Sequence, residues 1–188
     1  GPRLNCGIFS TRRIIDLYPM SLLDQEKMLT RFVACTGTNS SLDIDGFYFR
    51  QLDMYGWYPG KGTGLMAAAS RGFNDLARAL IHNYANINVR NKHGITALLL
   101  ASYAGSNDLI GILLDLGAHV NLGDKYGIKP LHAAAYSGHV STVRLLLERG
   151  ADINARTLFE PPFQWTALEM ASNYRLTEVV ALLQSWGR

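Results

Sequence analysis

Two cysteines in 188 residues, Cys6 and Cys35, are too few for a disulfide framework and lack the C-x-x-C spacing of zinc or redox sites. Such sparse cysteine points to a reducing compartment, cytoplasm or nucleus. The chain has no apolar run near the roughly eighteen residues that a membrane span needs, and no charged-then-apolar signal peptide, so no membrane contact is expected. A basic stripe is missing as well. Net charge is +3, residues 1–57 hold six basic and six acidic groups, and Arg71, Arg78, Arg90, Arg144, Arg149, Arg156 and Arg175 are spread along the remainder. Phosphate backbones require clustered cations, so no nucleic acid is expected as a partner.

Catalytic constellations are also absent. His82, His93 and His119 have no carboxylate or cysteine at ligand spacing, so no metal and no cofactor are expected. Cys35 falls on an apolar helical stretch, and residues 1–57 contain no histidine to activate it, which reads as a buried thiol rather than a nucleophile. The stretch from Pro59 to Gly64 resembles a phosphate loop only at a glance: Lys61 is followed by glycine, Tyr55 stands where the first glycine belongs, and no strand precedes it. The chain is not expected to be an enzyme.

What the chain does have is a period. Leu65, Leu98 and Leu131 are 33 residues apart, as are Gly72, Gly105 and Gly138, and as are Asn88, Asn121 and Asn154. Three independent registers with one spacing mark a stack of like units. Within a unit, Leu109, Ile110, Leu113 and Leu114 recur at helical spacing, as do Leu76, Ala77, Leu80 and Ile81 one unit earlier, so one helix face must be buried. Gly105 and Gly138 are suited to end the short helix before it in a left-handed conformation, with Asn74 or Asn107 capping the next. No unit of this size buries its own apolar face, so each depends on its neighbours.

Asp124, Gly127, Pro130, Leu131, His132, Ala134, Ala135, Gly138, Leu146, Leu147, Gly150, Ala151 and Asn154 make the unit at 124–156 resemble the ankyrin repeat. The resemblance covers residues 58–188. It implies an all-α fold, an ankyrin-repeat solenoid of stacked helix-turn-helix units with protruding β-hairpin loops. It also implies that His132 bonds locally to join hairpin and first helix. Two departures stand out: Ala97 and Leu99 replace the family's proline and histidine, and the last unit reaches Leu168 only 37 residues after Leu131. Residues 58–188 would hold about four repeats, the last a C-terminal cap, since Gln184 replaces Leu114 and Leu147. Residues 1–57 would form an N-terminal helical cap, a degenerate first repeat with helices over 11–18 and 23–35, Met28, Leu29, Phe32 and Val33 lying on the apolar face of the second. An enlarged hairpin would follow at 46–64. A separate helical docking element is the alternative for this segment.

Equivalent positions in a solenoid line up as columns. The family's contact columns, carried across, are the hairpin positions Lys92, His93 and Ile95, then Lys125, Tyr126 and Ile128, and the helix-end positions Arg71, Tyr103, Tyr136 and Tyr174. Tyr103 and Tyr136 are strict equivalents, 33 apart, whereas Tyr174 is one place off. Tyrosine offers large contact area, a hydroxyl and few rotors to freeze, hence a binding ladder. The enlarged hairpins add Trp57, Tyr58, Phe163 and Trp165, and with their neighbours hold nine of the nineteen aromatics. These could wall a groove or fold back onto neighbouring fingers. The expected function is a protein-interaction module, an intracellular adaptor, scaffold or regulatory domain, monomeric by itself, that takes a protein or peptide partner. The alternatives are the substrate-recruiting arm of a larger enzyme or ubiquitin-ligase assembly, and a pathogen effector.

Overall fold

The computed structural model describes residues 24, 27, 30, 64–82, 86–159 and 164–186. Asp24, Lys27 and Thr30 are helical. The rest of the segment read as a capping repeat lies outside the described residues, as does the enlarged hairpin up to residue 63 with Trp57 and Tyr58.

From residue 64 onward the described chain is four helix pairs: α1 Gly64–Arg71 with α2 Asn74–His82, α3 Ala97–Ala104 with α4 Asn107–Asp115, α5 Pro130–Ser137 with α6 Val140–Glu148, and α7 Ala167–Asn173 with α8 Thr177–Trp186. Helices this short are marginal in water by themselves. Their stability comes from stacking: α1, α3, α5 and α7 pack in one row, and α2, α4, α6 and α8 in a second. Small residues make the first row tight, because Ala67, Ala68 and Ala69 in α1 and Ala133, Ala134 and Ala135 in α5 are wholly buried. Leu113, Leu146 and Leu183 fill equivalent places in the second row and are buried too.

The periodic asparagines have a structural cause. The Asn88 side-chain amide donates to the Gly117 carbonyl at 2.9 Å and accepts from the His119 N–H at 2.9 Å. Asn121 repeats both bonds one unit on, to Gly150 at 3.1 Å and from Asp152 at 2.8 Å. Each asparagine thus ties its own turn to exposed backbone groups of the next turn. Asn107 departs from its expected capping role. It is the first residue of α4, and its side chain instead donates to Ser141 and accepts from Thr142 of the following unit, at 2.9 and 2.7 Å.

The fingers between helix pairs contain turns and no strand among the described residues, and each closes through a backbone bond across it, as from Asn91 N–H to the Ile95 carbonyl and from Asp124 N–H to the Ile128 carbonyl. Asn91 and Asp124 each accept two backbone N–H groups within their own finger, an arrangement that offers the backbone an alternative to ladder pairing. Neighbouring fingers are joined by backbone bonds, Lys125 N–H to the His93 carbonyl at 2.9 Å and Leu158 N–H to the Tyr126 carbonyl at 2.6 Å. The second bond requires a close approach at Gly127, which has φ of 73°, and a Cβ there would lie 2.6 Å from Leu158.

Candidate partner-binding site

The helix ends of the first row carry the phenols. Tyr103 and Tyr136 meet edge-to-face with centroids 6.3 Å apart and planes at 79°, and Tyr136 meets Tyr174 the same way at 4.8 Å and 81°. Edge-to-face contact sets the positive ring edge against the negative face of the next ring, so the three hold one another in place. Tyr103 and Tyr136 are half-buried, while Tyr174 is 50% exposed. Tyr174 joins the row although its register is one place off.

The last finger is held at its base. Thr157 N–H donates to the Trp165 carbonyl, and Trp165 N–H donates to the Thr157 hydroxyl, both at 3.0 Å. These bonds join the two sides of the enlarged finger at its base, and Trp165 takes the place held by Ile95 and Ile128 in earlier units. Along that column Ile95 is 6% exposed, whereas Ile128 and Trp165 are half-buried. Ile95, expected at a contact position, therefore belongs mostly to the core.

The result is a cleft of about 330 Å³. Tyr103, Tyr136 and Tyr174 form one wall, Trp165 and Phe159 the other, and Ile128, Thr157 and Met170 the floor. Phe159 is held by stacking on Tyr126, centroids 5.4 Å apart and planes at 18°. Tyr126 also lies beneath the Lys125 ammonium, 4.8 Å from the ring centre, a cation–π contact. Part of the finger aromatics thus packs on the neighbouring finger, yet Tyr126 and Phe159 remain 45% and 38% exposed. Lys92 is exposed and His93 half-buried on the preceding finger, and Arg71 lies 6.0 Å from the ring of Phe73 at the end of α1. Phe163 lies outside the described residues.

His132 sits outside this cleft and is fully buried. Its Nδ1 accepts from the Lys129 N–H at 3.1 Å, so its Nε2 carries the proton and donates to the Ala155 carbonyl at 3.0 Å. Burial pushes this imidazole below its ordinary value of 6.5, and the Ala155 bond counters that only in part. Glu169, at the equivalent position in α7, reaches back to the Thr166 N–H at 2.7 Å while Thr166 caps Glu169. That backbone bond, followed by the Thr166 hydroxyl and Arg156, holds its carboxyl below 4.5 despite some desolvation. Leu99 occupies the position in α3 and cannot do this; there the Thr96 hydroxyl caps the helix by accepting from Leu99 N–H at 3.2 Å. Both side chains that could have been taken for catalytic groups are used to start helices.

Residues 65–157 match the family model for ankyrin repeats, in 3 copies. With the stacked helix pairs, this places the protein in the ankyrin-repeat family. Ankyrin repeats are generally protein–protein interaction modules, typically non-catalytic. No curated protein matches the chain. No helix among the described residues is long and apolar enough to cross a membrane.

Proposed function

We propose that this chain is an adaptor or regulatory module that grips a peptide, or a loop of a folded partner, in the cleft between the tyrosine row and the last finger. One observation carries the reading: Tyr103, Tyr136 and Tyr174 lock edge-to-face yet keep surface open toward a cleft walled by Trp165 and Phe159. Aromatic walls that are already ordered lose little entropy on binding, and an apolar concavity of this size is at the lower end of the range ordinary ligand sites occupy. Lys92, His93, Lys125 and Ile128 extend the contact along the fingers, and Arg71 along the helix ends. Trp57, Tyr58 and Phe163 of the enlarged loops belong to the same reading as flanking walls. Residues 1–57 and the last helix pair serve as the caps of the stack.

The test replaces Tyr103 and Tyr136 together by alanine and compares proteins captured by the variant with those captured by the native chain. Binding should weaken by about 1–4 kcal/mol, and the melting transition should stay nearly in place. A variant that keeps every captured partner, or one that no longer folds, would assign the row to structure.

A further inference from the structure

Resting on that reading, we infer that the cleft selects a segment with an aromatic or branched apolar side chain next to an acidic residue. The cleft is apolar in its walls and lacks a carboxylate among its described lining. Its polar groups are able to donate. The Tyr136 and Tyr174 hydroxyls make no hydrogen bond among the described residues, and the Trp165 indole N–H can only donate. Lys92, Lys125 and Arg175 are exposed, and none pairs with a carboxylate among the described residues. The nearest acid of α7, Glu169, is already bonded to Thr166 and Arg156. An apolar anchor fills the cleft, and an adjacent carboxylate meets donors and cations without a carboxylate partner among the described residues.

Arg175 strengthens the argument by its backbone. It follows Tyr174, closes α7 at φ of 57°, and is the one non-glycine residue with positive φ among those described. The two preceding units place glycine there, Gly105 and Gly138, at 70° and 76°. A side chain in this conformation costs stability. A cation held at such a cost directly after a cleft residue, without an intramolecular partner, fits a ligand contact. A trimethylammonium guest, which aromatic cages also take, would meet Lys125 and Arg175 as like charges.

The test is fluorescence anisotropy of the full chain with short synthetic peptides that have a central Trp, Leu or Ala flanked by Glu, Gln or Lys. Trp or Leu flanked by Glu should bind tightest, and Lys flanks should weaken binding by roughly tenfold or more. Arg175→Gly should weaken the Glu-flanked peptides roughly two- to fivefold, leave the Gln-flanked ones unchanged, and raise the melting temperature. A variant that gains stability while losing acid preference cannot be explained by damage to the fold. Equal binding of Gln- or Lys-flanked peptides, still sensitive to Tyr136→Ala, would overturn the acidic preference and leave the groove standing. Preference for a central trimethyl-lysine would overturn it in favour of a cation cage. If no peptide binds while the tyrosine pair still governs capture of folded partners, the inference falls and the proposed function survives.

Discussion

The unit at 124–156 and the one after it use the same positions for opposite ends. In the first, three positions hold residues that suit the stack: Gly138 ends α5 with φ of 76°, His132 ties the helix start to Ala155, and Ile128 rests half-buried on the helix row. In the second, these positions hold Arg175, Glu169 and Trp165. The helix start is kept by a substitute of equal competence, the Thr166 and Glu169 pair. The other two exchanges give up a relaxed helix end and a compact apolar side chain for a cation and a large indole. Trp165 lines the cleft, and Arg175 directly follows Tyr174, which also lines it. The regular unit spends its side chains on its neighbours, whereas in the irregular one Arg175 stays exposed and Trp165 half-buried.

The largest expected effects come from the buried leucines, which separate a unit packed on both sides from one packed on one side. Leu146→Ala should cost about 4–5 kcal/mol and Leu183→Ala about 2–3 kcal/mol, because the last pair can relax into the open end of the stack. Urea unfolding followed by far-UV circular dichroism measures both. Equal costs would mean that the last helix pair is as constrained as the interior ones.

His132→Ala comes next, at about 1–3 kcal/mol, since it leaves the Lys129 N–H and the Ala155 carbonyl without partners. The pH arm has a definite sign. The folded imidazole titrates below 6.5, so the unfolded chain binds more protons in the window under that value. His132 therefore contributes its full stability above 6.5 and loses it as pH falls toward its folded value. Midpoints of urea unfolding should decline below pH 6.5 in the native chain and decline less in His132→Gln. Glu169, also lowered in the folded state, adds a second loss only below 4.5.

Much of this was legible in the sequence, and the exceptions share a cause. The 33-residue spacing of Leu65, Leu98 and Leu131 located the first-row helices because burial recurs once per unit. Tyr103 and Tyr136 could be read as a row for the same reason. The spacing of Asn88 and Asn121 was visible, but its cause was not, since their partners Gly117 and Gly150 lie 29 residues ahead across a unit boundary. Where the period breaks, the offset of 37 from Leu131 to Leu168 still leads from Ile128 to Trp165 and from Gly138 to Arg175. What the count did not give are the Thr157 and Trp165 bonds at the base of the finger and the positive φ of Arg175.

Exchanging the helix-end residues should invert the comparison. Gly138→Ala puts a Cβ at φ of 76°, 3.3 Å from Leu176, and should cost about 1–2 kcal/mol. Arg175→Gly removes the same penalty from the last unit and should stabilise by about 1 kcal/mol, less the added backbone entropy of glycine in the unfolded chain. Thermal melts of the two variants should move in opposite directions. A loss of stability in Arg175→Gly would mean that the guanidinium contributes more to the fold than the strain removes.

The smallest effect tests whether the aromatic row acts as a unit. A double-mutant cycle on Tyr136→Leu and Tyr174→Leu isolates their contact from the area each ring buries. The 4.8 Å edge-to-face geometry predicts a coupling of about 0.5–1.5 kcal/mol in folding. The same cycle on Tyr103 and Tyr136, at 6.3 Å, should give less. The difference matters because a ring held firmly by its neighbour loses less freedom when a partner covers it. The end of the row nearest Trp165 should then be the stiffer one, and the better anchor. If the Tyr103 and Tyr136 pair proves the more strongly coupled, preorganisation lies in the regular part of the stack, and the irregular unit contributes contact area without the order that would make it effective.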